Sequence, residues 1–169
     1  MPFGKDGSEM ANKLYIAYGS NLNRKQMVAR CPGAGVVGTA VIEDYRLLFK
    51  GSKTGSYLTI EPHTGGKVPV AIWSITETDQ QRLDRYEGYP IFYGKEEMEL
   101  PVTDIRSGKV RNLNGFAYVM CGNRPLGVPS NDYFMVCAQG YHNFGFDPRI
   151  LLDAYSDSRQ EDALWNAIW

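Results

Sequence analysis

No apolar run in the sequence approaches the ~20 residues that a membrane-spanning helix needs, and residues 1–12 lack the apolar core of a signal peptide. A cytoplasmic protein without a membrane partner is therefore expected. Nor is there an excess of one charge: 18 basic side chains stand against 19 acidic ones, so no broad basic field exists to attract nucleic acid. Cysteine is scarce. Cys31, Cys121 and Cys137 are odd in number and far apart, which suits buried reduced thiols and excludes a CxxC metal site or a disulfide framework. With His63 and His142 as the only histidines, neither an HExxH pattern nor a Cys/His zinc spacing can be drawn. A metal is not expected, and a small molecule is the partner that remains.

What is present is enough apolar material for one core. At 169 residues and 43% hydrophobic content the chain suits a single domain built around a pocket. Residues 1–12, with Pro2, Gly4, Gly7 and several polar side chains, read as a flexible leader, and residues 13–169 as the domain. Leu14, Tyr15, Ile16, Ala17 and Tyr18 form a short apolar strand stopped by Gly19-Ser20-Asn21. Asn23 is placed to cap a following helix, with Gln26 as its reciprocal partner and Met27, Val28 and Cys31 on its inner face. Residues 36–75 then read as at least four strands in succession, at 36–42, 45–49, 57–60 and 68–75, joined as hairpins.

Thr76 can cap a short surface helix in which Leu83 and Tyr86 are apolar and which stops at Gly88 and Pro90. Two further strands are expected at 92–102 and 113–120 around a Ser107-Gly108 turn, then a helix at 132–142 capped by Ser130, and a last helical piece from 148 to 169. The fold class is α+β: a small, mainly antiparallel, barrel-like sheet flanked by helices. A doubly wound parallel fold is disfavoured because strand and helix do not alternate.

Two segments have the makings of a site. In Tyr18-Gly19-Ser20-Asn21-Leu22 a buried strand ends at a glycine just ahead of a helix, where unpaired N–H groups can form a nest for an anion. The same residues are also ordinary turn vocabulary. Glu87 ends the helix that begins near Thr76 and is flanked by Tyr86 and Tyr89. The negative end of a helix dipole and apolar surroundings both raise a carboxyl pKa, fitting it to take and return a proton near neutrality. A lone glutamate at a helix end is also commonly a solvated surface residue, so spacing alone does not assign it.

The combination of an early strand ending in YGSNL, then LDRYEGYPIFY, then PSNDY before a helix resembles the gamma-glutamyl cyclotransferase-like superfamily, which includes the AIG2-like proteins. The resemblance runs from about residue 13 to 147. It implies a small mixed barrel with surrounding helices. It also implies that Glu87 is the general acid/base and that Tyr18, Gly19, Ser20, Asn21 and Leu22 hold the gamma-glutamyl group, with Tyr93 and Tyr133 as further substrate-binding positions. The bulky Tyr89 and rigid Pro90 depart from the glutathione-cycle enzymes and are expected to shape the pocket differently.

The activity implied is ring closure of a gamma-glutamyl compound to 5-oxoproline with release of a free amine or amino acid, needing no cofactor. Ser20 as a nucleophile lacks a GxSxG elbow and a histidine partner. A non-catalytic module that keeps the pocket to bind a small acidic metabolite is the rival from another class. Trp165, Ile168 and Trp169 make an apolar cluster that either packs on the body or marks a homodimer contact.

Overall fold

The computed structural model describes residues 12–168 except Lys53, with the side chains of Ser52 and of residues 160–166 also outside the description. The leader at residues 1–12 therefore lies, all but Asn12, outside the described residues, as do Trp169 and the Trp165 side chain. Asn12 itself donates from Nδ2 to Ser74 Oγ at 2.8 Å. Ile168, the remaining member of the terminal apolar group, is exposed.

Among the described residues, five strands close into a barrel. β1 (Lys13–Ala17) pairs antiparallel with β3 (Gly55–Ile75), β3 with β2 (Gly35–Ser52), β2 with β4 (Tyr93–Asp104), and β4 with β5 (Val110–Met120). A single parallel register pair, Tyr15 with Phe116, joins β5 back to β1 and completes the order β1-β3-β2-β4-β5. The sheet thereby closes on itself, with β2 meeting β4 where Gly38 lies opposite Asp104 and Thr39 opposite Thr103, and β5 meeting β1 at that one pair. Ile16, Ile42, Phe49, Ile60, Val70, Ile72, Val102 and Ala117 fill the core from all five strands.

The four strands expected between residues 36 and 75 are two. At Glu43/Tyr45 the register shifts, Asp44 takes a left-handed φ of 59°, and pairing resumes with Tyr45 opposite Pro62. The polar cluster that reads as a break is thus a bulge inside one ladder, stabilised where Gly65 N donates to Asp44 Oδ1 at 2.9 Å. The bulge lets each strand bend and run on, and the outer half of this hairpin carries Tyr57 and Leu58 toward the site.

Four helices, again among the described residues, surround the barrel: α1 (Arg24–Arg30), α2 (Glu77–Tyr86), α3 (Asn131–Phe144) and α4 (Pro148–Ile168). α2 starts with a full capping box between Thr76 and Asp79, and α3 starts with Ser130 Oγ accepting from Tyr133 N at 3.2 Å. α3 ends at Gly145, in the left-handed conformation. Along α1, Met27 and Cys31 are buried as expected, but Val28 is 64% exposed: the apolar stripe follows the i, i+4 spacing, and the next residue turns away. Cys31 and Cys137 are buried free thiols, whereas Cys121 is only half-buried. Among the described residues no helix is long and apolar enough to cross a membrane.

Candidate active site

Where β1 ends, Gly19 caps a single 3-10 turn, Ser20–Leu22, which leads directly into α1. Leu22 N donates to Gly19 O at 3.0 Å and Asn23 N to Ser20 O at 3.1 Å. A turn of this kind leaves its first N–H groups, those of Ser20 and Asn21, without an intrahelical acceptor. Leu22 departs from expectation. Its amide is spent on closing the turn, and its side chain is fully buried beneath the loop rather than facing the cavity.

The loop is held from behind. Asn23 Oδ1 accepts from Gln26 N at 3.0 Å, and Asn23 Nδ2 donates to Val136 O at 3.1 Å, tying the start of α1 to α3. α3 presents Gly140 at this contact; a Cβ there would stand 2.7 Å from both Asn23 N and Leu22 Cβ, so glycine is what allows helix and loop to meet. The reciprocal half of the expected capping box is absent. Gln26 instead turns its amide oxygen to Arg30, 2.7 Å from both terminal guanidinium nitrogens, as a group that only donates requires.

Glu87 is the residue at which α2 stops. Its amide still donates to Leu83 O at 2.8 Å, and Gly88 then takes a φ of 63° that swings the chain away. The carboxyl faces a cavity of about 310 Å³. Tyr18, Gly19, Ser20, Asn21, Tyr93 and Tyr133 share that lining with Glu87. Tyr89 and Pro90 do not: Tyr89 lies outside, with Lys95 Nζ 4.1 Å from its ring centroid, because the turn at Gly88 directs it away. The wall is instead made by Tyr57, Leu58, Arg85, Tyr86 and Phe92, with Tyr15 and Tyr118 alongside.

Glu87 Oε1 accepts from Asn21 Nδ2 at 3.4 Å, and the same nitrogen donates to the Tyr15 hydroxyl at 2.9 Å. Arg30 Nη1 donates to Asn21 Oδ1 at 2.6 Å and to Ser20 Oγ at 3.3 Å, while its guanidinium lies 3.4 Å from the centroid of the Tyr86 ring. Burial pushes the Glu87 carboxyl from its ordinary 4.5 up to about 7, against a smaller downward pull from the Arg30 charge. Loss of water, rather than the end of α2, is thus the main cause. A carboxyl so placed is half ionised near neutrality and can act as base and then as acid.

The tyrosines are fixed donors and acceptors, not bases. The Tyr18 hydroxyl donates to Tyr118 O, Tyr93 donates to Leu58 O at 2.7 Å, and Tyr133 accepts from Leu58 N at 3.1 Å. Burial pushes all three phenols above their ordinary range, so they stay protonated. Ser20 Oγ meets Arg30, and neither His63 nor His142 lines the cavity.

Arg30, Tyr15 and Tyr118 were not anticipated as parts of the site. A signal for Tyr15 exists in the alternation of β1, which puts its side chain two positions from Ala17 on one face. For Arg30 there is none, because the contact depends on how α1 lies across the 3-10 turn.

Comparison with known proteins agrees with this fold. The family described as gamma-glutamyl cyclotransferase, AIG2-like, matches residues 15–135. Gamma-glutamylcyclotransferase of Bos taurus is 34% identical over 135 residues, covering 75% of this chain and 69% of the bovine protein. A solved gamma-glutamyl cyclotransferase structure superposes with a TM-score of 0.71 at 25% identity, covering 85% of this chain and 86% of that one. An uncharacterized protein from Homo sapiens superposes with a TM-score of 0.72 at 26% identity over the same shares.

Proposed function

The chain belongs to the gamma-glutamyl cyclotransferase, AIG2-like family, a family of enzymes, and we propose that it closes the gamma-glutamyl group of a small amine, amino acid or amide conjugate to 5-oxoproline, with Glu87 as general acid/base. The observation that carries this reading is a carboxyl, pushed up to about 7 by burial, facing a cavity that Ser20 and Asn21, the first residues of the 3-10 turn, also line.

The reaction needs few parts. In a gamma-glutamyl compound the α-amine and the γ-carbonyl belong to one molecule, and folding the chain back brings them within reach for a five-membered ring. Such orientation is worth roughly 7–11 kcal/mol of barrier. The amine arrives as an ammonium, so Glu87 removes one proton and the nitrogen attacks the γ-carbon. Glu87 passes that proton to the departing nitrogen and takes the second proton that the ring nitrogen must lose, and the amide C–N bond breaks as the amine leaves, carrying both protons as an ammonium. The N–H groups at the start of the 3-10 turn supply donors to the anionic parts of the guest. Tyr93 and Tyr133, both protonated, complete the walls.

Incubating the purified protein with a panel of gamma-glutamyl amines, amino acids and amides, and measuring 5-oxoproline, tests the reading. Release from at least one of them by the wild type and loss of at least 100-fold in Glu87→Gln is the expected result. Full activity in Glu87→Gln would sink it. Ligand-induced stabilisation with no turnover of any compound would point to a binding module instead.

A further inference from the structure

We infer that Tyr15 is a further catalytic residue, its hydroxyl donating a hydrogen bond to the γ-carbonyl oxygen of the substrate, and that Arg30 is the positioning residue that fixes the direction of that donation; the inference rests on the cyclotransferase reading above. The argument begins with what each group is able to do. A guanidinium has five N–H donors and no acceptor. Arg30, set 2.6 Å from Asn21 Oδ1, therefore admits only one orientation of the Asn21 amide, oxygen toward Arg30 and NH2 away. Ser20 Oγ at 3.3 Å and the Tyr86 ring at 3.4 Å hold the guanidinium in place.

The NH2 group so directed meets two oxygens, Tyr15 Oη at 2.9 Å and Glu87 Oε1 at 3.4 Å. Tyr15 thus accepts from Asn21, and its own proton must point elsewhere. No acceptor for it exists among the described residues. Three of its neighbours differ: Tyr18 donates to Tyr118 O, Tyr93 to Leu58 O, and Tyr118 to Asp84 Oδ1 at 2.5 Å, whereas Tyr133, like Tyr15, accepts, from Leu58 N, with the Cys137 thiol beside it. Tyr15 is 4% exposed and lines the same cavity as Glu87. The Tyr15 proton is thus free for an acceptor inside the cavity, and the carbonyl oxygen of the guest is one.

Because both oxygens share one amide nitrogen, proton acceptor and hydrogen-bond donor face the same small volume. As the amine lone pair forms the new C–N bond, the carbonyl π electrons move onto oxygen, and Tyr15 steadies that charge without giving up its proton. When the electrons return, the bond to the departing amine breaks; that amine has received the proton first taken by Glu87, and the carboxylate so freed takes the second proton from the ring nitrogen. Burial pushes the Tyr15 phenol well above its ordinary range, which keeps it a donor throughout.

The test is Tyr15→Phe, which keeps the ring packing against Phe116 and Tyr118, compared with wild type, Arg30→Lys, Arg30→Met and Tyr15→Phe/Arg30→Met across the pH range. The readout is the pH-independent plateau of kcat above the Glu87 titration, on a gamma-glutamyl compound that the wild type turns over. Tyr15→Phe is expected to lower that plateau by about 30- to 100-fold with KM within threefold, the scale of one lost oxyanion donor. Arg30→Lys, which still only donates, is expected to keep most of the plateau; Arg30→Met frees the Asn21 amide to turn over and loses much of it.

The double variant should be little worse than Tyr15→Phe alone. A Tyr15→Phe plateau within twofold of wild type would overturn the role of Tyr15, as would a loss that vanishes at high pH. Losses that multiply in full in the double variant would overturn the role of Arg30. Should Tyr15→Phe not fold, fluorotyrosine at position 15 decides the matter: a shifted plateau supports the donor role, and an unchanged plateau with the more acidic phenol sinks the inference. Absence of any 5-oxoproline release by the wild type would instead fail the cyclotransferase reading itself.

Discussion

Asn21 Nδ2 stands 3.4 Å from Glu87 Oε1, joining a loop at the end of the first strand to the last turn of a helix 66 positions further along the chain. The pair is the hinge of the site. One partner has its orientation imposed by Arg30, and the other has its ionisation set by burial, so perturbations of either are readable in pH dependence.

The first prediction concerns Glu87 itself. A base must be ionised to act, so kcat/KM is expected to rise with pH along a limb near 7, where burial has placed the carboxyl, rather than near 4.5. Titration of 5-oxoproline release between pH 5 and 9 measures the limb. A limb centred at the ordinary carboxylate value would contradict a buried base.

Stability should carry the opposite sign. A carboxyl raised in the folded state stabilises while it is protonated, and that contribution is fully present below 4.5 and lost as pH climbs through about 7. Glu87→Gln is neutral at every pH. It is expected to match wild type near pH 4 and to exceed it at pH 8 by up to about 3 kcal/mol, as read from urea midpoints at the two pH values. Equal differences at both would show that Glu87 is not held against ionisation.

Arg30→Met removes the cation that pulls the Glu87 pKa downward. Apart from its effect on the plateau, the acidic limb should therefore move to higher pH, and activity at pH 6 should fall by a further factor of about three or more. A downward shift would mean that the Arg30 charge does not reach the carboxyl.

Two glycines separate support from chemistry. Gly140→Ala forces a methyl into Asn23 and Leu22, and overpacking of that kind costs about 1–3 kcal/mol, partly offset by the better helix propensity of alanine. A lower denaturation midpoint together with a weakened kcat/KM is expected, whereas Gly35→Ala, with open space around it, should change neither.

Gly19→Ala makes the contrasting case. Its added Cβ would meet Leu58 at 3.5 Å and the Tyr133 hydroxyl at 3.6 Å, ordinary contact distances. The fold should lose no more than about 0.5 kcal/mol. The methyl nevertheless stands in the cavity wall, so KM is expected to rise about tenfold. A destabilised protein with an unchanged KM would reverse the assignment.

Much of this molecule was legible in its residues because local rules and tertiary demand agree. β1 stops just ahead of Gly19, and Asn23, Thr76 and Ser130 cap their helices. Proximity of Tyr18, Gly19, Ser20, Asn21 and Glu87 around one cavity was also expected, on the strength of paired motifs. Long-range geometry escaped. The bulge at Asp44 looks like a strand break because Glu43-Asp44 is turn chemistry, yet the partner strand holds pairing on both sides. Tyr89 reads as a pocket wall beside Glu87, but the positive φ of Gly88 sends it out. The Arg30 to Asn21 bond spans the 3-10 turn and depends on a crossing angle that no local pattern encodes.

The strand β1 pairs with β3 in a register that sets Tyr15 opposite Trp73, and it contributes both the phenol and the loop that follows. Since side chains alternate along a strand, sliding β1 by one position would bring Ile16 to the reaction chamber and bury the phenol elsewhere, with the barrel still shut and nearly every ladder bond remade. Competence for chemistry in this molecule is thus a matter of register: an odd shift turns the phenol to the other face, and an even one carries it ~7 Å along the strand from Glu87, in either case leaving a protein that still looks whole.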